Sequence, residues 1–223
     1  MNLKTIALSF FITCAIVNSS PTLAGTGRSN AHENSYSKSL MEDQKQQVLK
    51  SFTIYGEPVT PVAIHMFNSW LSDMAPSVIA MDLNSTVDTN QYSGEITKRD
   101  VEGKAYIEVT NEGQTYGYRF LGPLGQDKVV VASYSFEASG TGAFTSILIL
   151  KISLQEMQTL SKYKDSALST RYVILAEQVG SLGIPDRGTY RLEGSTLIYA
   201  DRAMGVGNDG EEYSVDLSSL VAK

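Results

Sequence analysis

After Pro76 the apolar residues of this 223-residue chain stop recurring every three to four positions and begin to alternate. That change of period is the strongest constraint on the fold. Alternation sends every second side chain to one face, which is the pattern of a half-buried strand. The segments that carry it are 77–83, 92–98, 104–110, 115–121, 128–136, 143–152, 171–179, 188–193, 196–200 and 212–218. Between them stand turn sequences such as "DVEG", "NEG", "GPLGQD", "GIPD", "EGS" and "GVGNDG". Short strands roughly 8–12 residues apart, punctuated in this way, specify an antiparallel sandwich or barrel. The gaps are too short for the crossover that a parallel pair requires. The expected fold is therefore mainly β: an antiparallel sandwich or barrel of about ten short strands, with a helical N-terminal segment and one short inserted helix.

The stretch "FEASGTGAFTSILILKI", Phe136 to Ile152, tests whether a glycine pair marks a site or a turn. A phosphate-cradling loop needs a helix after its glycines, with the first amides facing the anion. The segment after Gly142 is rich in Ile, Thr and Phe and reads as a strand. The Lys-Ser/Thr pair of a P-loop is absent, and Thr145 stands where a dinucleotide fingerprint has its third glycine. The pair therefore reads as a turn between two strands. Ile147 to Leu150 are apolar on both strand faces, as in a central strand covered on both sides.

Three segments read as helices. In 40–52, Leu40, Met41, Gln44, Val48 and Phe52 share one side. In 61–74, Thr60 is placed to cap and Pro61 suits the first turn. Ala63, Met66, Phe67, Trp70, Leu71 and Met74 then form an apolar stripe that ends before Pro76. In 154–162, Ser153 and Glu156 have the spacing of a capping box, with Leu154, Met157 and Leu160 on one face. The central strand is expected either in the middle of a sandwich or in a sheet covered by the helices at 61–74 and 154–162.

The N-terminus has the layout of a secretory signal peptide: Lys4, an apolar stretch from Ile6 to Val17, then Thr22 and Ala24 before a cleavage point. The stretch is too short for a membrane span of about 20 residues. A lipid anchor at Cys14 is disfavoured, because Thr13 and Phe11 do not fit the residues such processing selects. Removing residues 1–24 takes Cys14 with it and leaves no thiol for disulfides, catalysis or metal. It also leaves 17 Lys and Arg against 24 Asp and Glu, a net charge of −7. No basic cluster stands out in the sequence, so neither nucleic acid nor an anionic membrane surface is expected as a partner. The expected organisation is a signal peptide at 1–24, a flexible linker and short helix at 25–50, and a single mainly β domain at 51–223.

Few residues offer chemistry. His32 falls in the expected linker and His65 on the polar side of the 61–74 helix. No nucleophile elbow or His-Glu-x-x-His accompanies either one. The acidic loop "DLNSTVDTN" has Val87 and Ser93 where an EF-hand wants glycine and glutamate, and "GNDGEE" reads as a solvated turn with three carboxylates, a non-EF calcium loop being the alternative. Glu95, Glu108, Glu177 and Glu193 lie in or beside strands, with nothing to pair them as an acid and a base. The remaining feature is aromatic. Tyr116, Tyr118 and Phe120 alternate along one strand, either as one wall of a core or as a platform for a ligand, while Arg119 faces the other way. The ligand-binding residues singled out are thus Tyr116, Tyr118 and Phe120, with no catalytic residue, metal or cofactor assigned. The expected role is an exported, monomeric binding or envelope accessory protein for a small apolar ligand, a glycan or an envelope protein. The alternative is a carboxylate-dependent extracellular hydrolase.

Overall fold

The computed structural model describes residues 30–68, 80–83, 95–101, 103–137, 143–160, 168–184, 189–200 and 211–221. The chain opens with α1 (Asn30–Ser51), the strands β1 (Thr53–Ile54) and β2 (Glu57–Pro58), and α2 (Pro61–His65) with a 3-10 turn at Met66–Asn68. The strands β3 (Ala80–Asp82), β4 (Ile96–Val101), β5 (Lys104–Asn111), β6 (Gln114–Leu124), β7 (Lys128–Glu137), β8 (Ala143–Leu160) and β9 (Leu168–Ile184) follow. It closes with β10 (Thr189–Glu193), β11 (Thr196–Ala200), β12 (Glu212–Asp216) and α3 (Ser218–Val221).

The strands β4 to β9 run as an antiparallel meander, and β3 joins beyond β9, giving the order β3-β9-β8-β7-β6-β5-β4. The sheet is open, with β3 and β4 at its edges. A second antiparallel sheet, β10-β11-β12, completes a two-layer sandwich. All ten alternating segments contain a strand of this architecture. The glycine pair lies outside the described residues; β7 pairs antiparallel with β8, from Phe136↔Ala143 onward.

The central strand is covered on both faces, by two separate cores. Leu148, Leu150 and Ile152 join Val129, Val131 and Tyr118 beneath α1, the β1–β2 hairpin and α2. Ile147 and Ile149 join Val130, Leu197 and Leu217 beneath the small sheet and α3. The second face is covered as in a sandwich, by a sheet, and not by a helix at 154–162. Residues 154–160 continue β8 and pair with β9 as far as Leu160↔Leu168. A cap signal is worth about 1 kcal/mol, and here a ladder of backbone hydrogen bonds to β9 competes with it and prevails. Glu156 sits opposite Tyr172 and its carboxylate accepts the phenol hydrogen bond at 3.3 Å.

The N-terminal cap also departs from the sequence pattern. The helix α1 starts at Asn30, well inside the stretch read as a linker. Lys38 lies over the Tyr172 ring, 6.0 Å from its centroid, tying this part of the helix to β9. Met41, Gln44, Val48 and Leu49 are buried, whereas Leu40 is exposed. The buried Gln44 accepts a 2.6 Å hydrogen bond from the Tyr55 backbone amide. The helix α2 is five residues long with a 3-10 extension; Trp70, Leu71 and Met74 lie outside the described residues. Thr60 precedes Pro61 as expected but makes no side-chain cap bond, and Met66 is exposed.

Two glycines position the strands around the site. Tyr55 and Gly56 both have positive φ, 53° and 82°, so the two-residue loop between Ile54 and Glu57 has the twist of a primed hairpin turn. Gly117 stands opposite Tyr134, and a Cβ at that position would overlap the tyrosine ring.

Candidate functional site

The row Tyr116, Tyr118 and Phe120 points toward the helical cap, and the three residues meet different surroundings. Tyr118 is 1% exposed and meets Phe52 edge-on, with ring centroids 5.3 Å apart. Phe120 is half-buried and stacks on the other side of the contact, 6.0 Å from Phe52 with an interplanar angle of 4°. Tyr116 is half-buried against His65 at 4.4 Å, and its hydroxyl donates to Gln114 Oε1. The row is thus a wall of the core at Tyr118 and opens toward solvent at both ends. It is not a flat exposed platform.

Beside Phe120 the wall borders a groove of about 740 Å³. One bank is the end of α1 with the β1–β2 hairpin, and the other is the β4–β5 hairpin. Phe52, Ile96, Ile107, Tyr118 and Phe120 give it an apolar floor, and Lys50, Lys98, Lys104 and Glu57 supply its charged groups. Ile107 lies directly opposite both Lys98 and Tyr118 in the sheet, so these three share the face that bears the groove. The Tyr118 hydroxyl is buried with no hydrogen-bond partner among the described residues. Burial also pushes its pKa far up, so the group stays a neutral donor.

Phe52 links the cap to this wall. Its φ is 56°, in the left-handed region where an aromatic residue is strained, and its amide closes the helix end onto the Val48 carbonyl at 2.9 Å. Burial of the ring between Tyr118 and Phe120 holds that conformation in place.

The opposite face of β4–β7 carries a polar cluster. Arg99 grips Glu108 with two hydrogen bonds, Nε to Oε2 at 3.0 Å and Nη2 to Oε1 at 2.6 Å. The Tyr134 hydroxyl donates to Glu108 Oε1 at 2.5 Å, across the space left by Gly117. Burial works to raise the Glu108 pKa, but the Arg99 and Tyr134 hydrogen bonds outweigh it and hold the carboxyl below its ordinary value. A depressed folded-state pKa contributes stability above the unfolded value of about 4.3, and that contribution is lost as pH falls through the folded value. Urea midpoints should therefore drop more steeply below about pH 5 for the wild type than for Glu108→Gln. Parallel curves would mean that the triad adds nothing. On the same face Arg119 lies over the Tyr190 ring at 5.4 Å and donates to its carbonyl at 3.2 Å, so its side chain does face away from the aromatic row.

The other candidates do not assemble. Glu108 is engaged by Arg99, and Glu193 accepts from Arg191 at 2.7 Å. Glu57 is the one carboxylate among the described residues lining the groove. His65 is half-buried, its Nδ1 has no partner among the described residues, and burial lowers its pKa. His32 lies within α1. Cys14, the loop at 84–90 and most of "GNDGEE" fall outside the described residues. Among the described residues no group of three His, Cys, Asp or Glu is placed to hold a metal ion, and no helix is long and apolar enough to cross a membrane. The sequence pattern puts Tyr116, Tyr118 and Phe120 on one face, as the structure has them, but it sets Phe52 only on a helix face and does not bring the three lysines to the groove. The separation of α1 from β4 and β5 in the chain hides their meeting. Compared with protein-family models, curated proteins and solved structures, the chain matches none.

Proposed function

We propose that this chain is an exported, monomeric binding protein that receives one small, largely apolar molecule in the groove between α1, the β1–β2 hairpin and the β4–β5 hairpin. The observation that carries the reading is the groove's size and lining. Its volume of about 740 Å³ falls within the range of small-molecule sites, and aromatic and aliphatic side chains form its floor. Of the three residues singled out from sequence, Tyr118 and Phe120 supply part of that floor, and Tyr116 supports its flank from beside His65. A concave apolar floor suits a small apolar ligand better than a glycan or an envelope protein, each of which would favour a flatter polar surface. A hydrolase working through paired carboxylates would need a second acid near Glu57, and the described lining offers none. Export is supported by the layout of residues 1–24, and the mass of protein recovered outside the cytoplasm would check cleavage after Ala24.

The neutral dye N-phenyl-1-naphthylamine brightens in apolar sites and can report on the groove. We expect saturable binding to a single site, weakened about tenfold by Phe120→Ala, which removes a partly exposed ring of the floor. Absence of saturable binding, or binding indifferent to Phe120→Ala, would sink the proposal.

A further inference from the structure

The described lysines and arginines fall into two groups. Lys45, Arg99, Lys128, Lys151, Arg171 and Arg191 each lie within 4.0 Å of a carboxylate. Lys38 and Arg119 sit over tyrosine rings. Only Lys50, Lys98 and Lys104 have neither kind of partner among the described residues, and all three line the groove. This holds in a chain whose net charge is −6, so carboxylates are in excess, yet no described carboxylate, Glu57 of the same lining included, lies within 4.0 Å of these three lysines. A random scatter of unpaired cations would not collect at a single concavity with an aromatic floor. Unpaired lysines beside an apolar surface repel one another, and a bound anion removes that repulsion. The Tyr118 hydroxyl adds a buried donor without an acceptor to the same lining.

Resting on the reading of the groove as a small-molecule site, we infer that its ligand is an anionic amphiphile: a single-chain carboxylate whose apolar body lies on Phe52, Ile107 and Phe120 and whose acid group is held by Lys50 and Lys98, with Lys104, opposite Val101 at the hairpin end, adding positive charge nearby. The division of the lining dictates the division of the ligand. The aromatic floor gains from burying hydrocarbon, in rough proportion to the area covered. The ammonium groups of Lys50 and Lys98 gain charge-assisted hydrogen bonds to an acid, which are stronger than those to a neutral hydroxyl. A neutral apolar molecule would use only the first of these surfaces. A small inorganic anion would use only the second, and would be weakly held by exposed lysines.

The test compares two ligands that differ in charge at nearly constant chain length, octanoate and 1-octanol, each displacing N-phenyl-1-naphthylamine near neutral pH and below any micelle-forming concentration. Octanoate should displace the dye at about tenfold lower concentration than octanol in low salt, with the advantage shrinking toward about 0.5 M salt. The triple variant Lys50→Gln, Lys98→Gln, Lys104→Gln should lose most of that advantage while its octanol displacement changes by less than about twofold. These side chains are surface groups, so the variant is expected to fold, and an unchanged thermal midpoint confirms that. Equal displacement by the two ligands overturns the anionic assignment and leaves the groove as an apolar site. A preference that survives in the triple variant also overturns it, because the acid is then held elsewhere. Failure of the dye to bind at all removes the groove reading together with this one.

Discussion

Leu148→Ala and Ile149→Ala should each lower the unfolding free energy by about 2–5 kcal/mol, the range for emptying a packed aliphatic site. The two residues are neighbours on β8, so their side chains leave opposite faces of the sheet. Leu148 is 0% exposed and lies in the core beneath the helical cap; Ile149 is 4% exposed and lies in the core beneath the small sheet. A strand covered on one side only would give one large loss and one of roughly half a kcal/mol or less, the usual size for surface changes. Urea melts of the two variants decide between these outcomes. The comparison also reports on cooperativity. If the two cores unfold as one unit, both variants should shift a single transition. If the small sheet separates first, Ile149→Ala should split the transition while Leu148→Ala lowers its main phase. A near-neutral Ile149→Ala would mean that β10-β11-β12 and α3 do not form a true second layer.

The strands were legible because their signal is local. The alternation in "KAYIEVT" and the turn at "NEG" need no knowledge of the rest of the chain, and β5 with its turn into β6 appears where they predict. The doubly apolar run at Ile147–Leu150 was legible for the same reason, since both faces are written into four consecutive residues. The segment 154–160 misled because its local signal was genuine. Ser153 and Glu156 do have capping spacing, but a partner strand many residues later settles the outcome, and no local pattern reports that partner. The length of α1 was obscured in a similar way. Residues 30–39 hold almost no aliphatics, and helix continues there past the segment with a buried face. The site was the least legible part. Lys50 belongs to the last turn of α1, Lys98 to β4 and Lys104 to the start of β5, and each reads in isolation as an ordinary solvated charge. Only the docking of the cap onto the sheet brings them to one groove. That docking depends on Phe52, whose role is visible in its φ rather than in its residue type.

Phe52→Ala should cost about 3–5 kcal/mol, the range for removing a fully buried phenyl ring. The ring is 1% exposed and contacts both Tyr118 and Phe120, so its loss opens a cavity where three aromatic rings now meet. The backbone adds a second effect that separates this residue from other core aromatics. At φ 56° any residue with a Cβ carries strain of about 1–2 kcal/mol, which glycine avoids. Phe52→Gly loses the same ring but relieves the strain, so it should be more stable than Phe52→Ala by about 1 kcal/mol, contrary to the usual order in which glycine is the worse replacement. Finding glycine clearly below alanine would mean that the left-handed conformation at the end of α1 is not maintained in solution. The functional consequence comes from the position of the ring between the two banks. Without it the junction of α1 and β1 loses its aromatic contacts with β6, and the groove loses both part of its floor and the fixed placement of Lys50. Binding of N-phenyl-1-naphthylamine should therefore fall in both variants, by more than the roughly tenfold expected for Phe120→Ala, although the glycine variant recovers stability. If dye affinity instead followed stability, recovering in Phe52→Gly, the ring would serve only to hold the cap in place and would form no part of the binding surface.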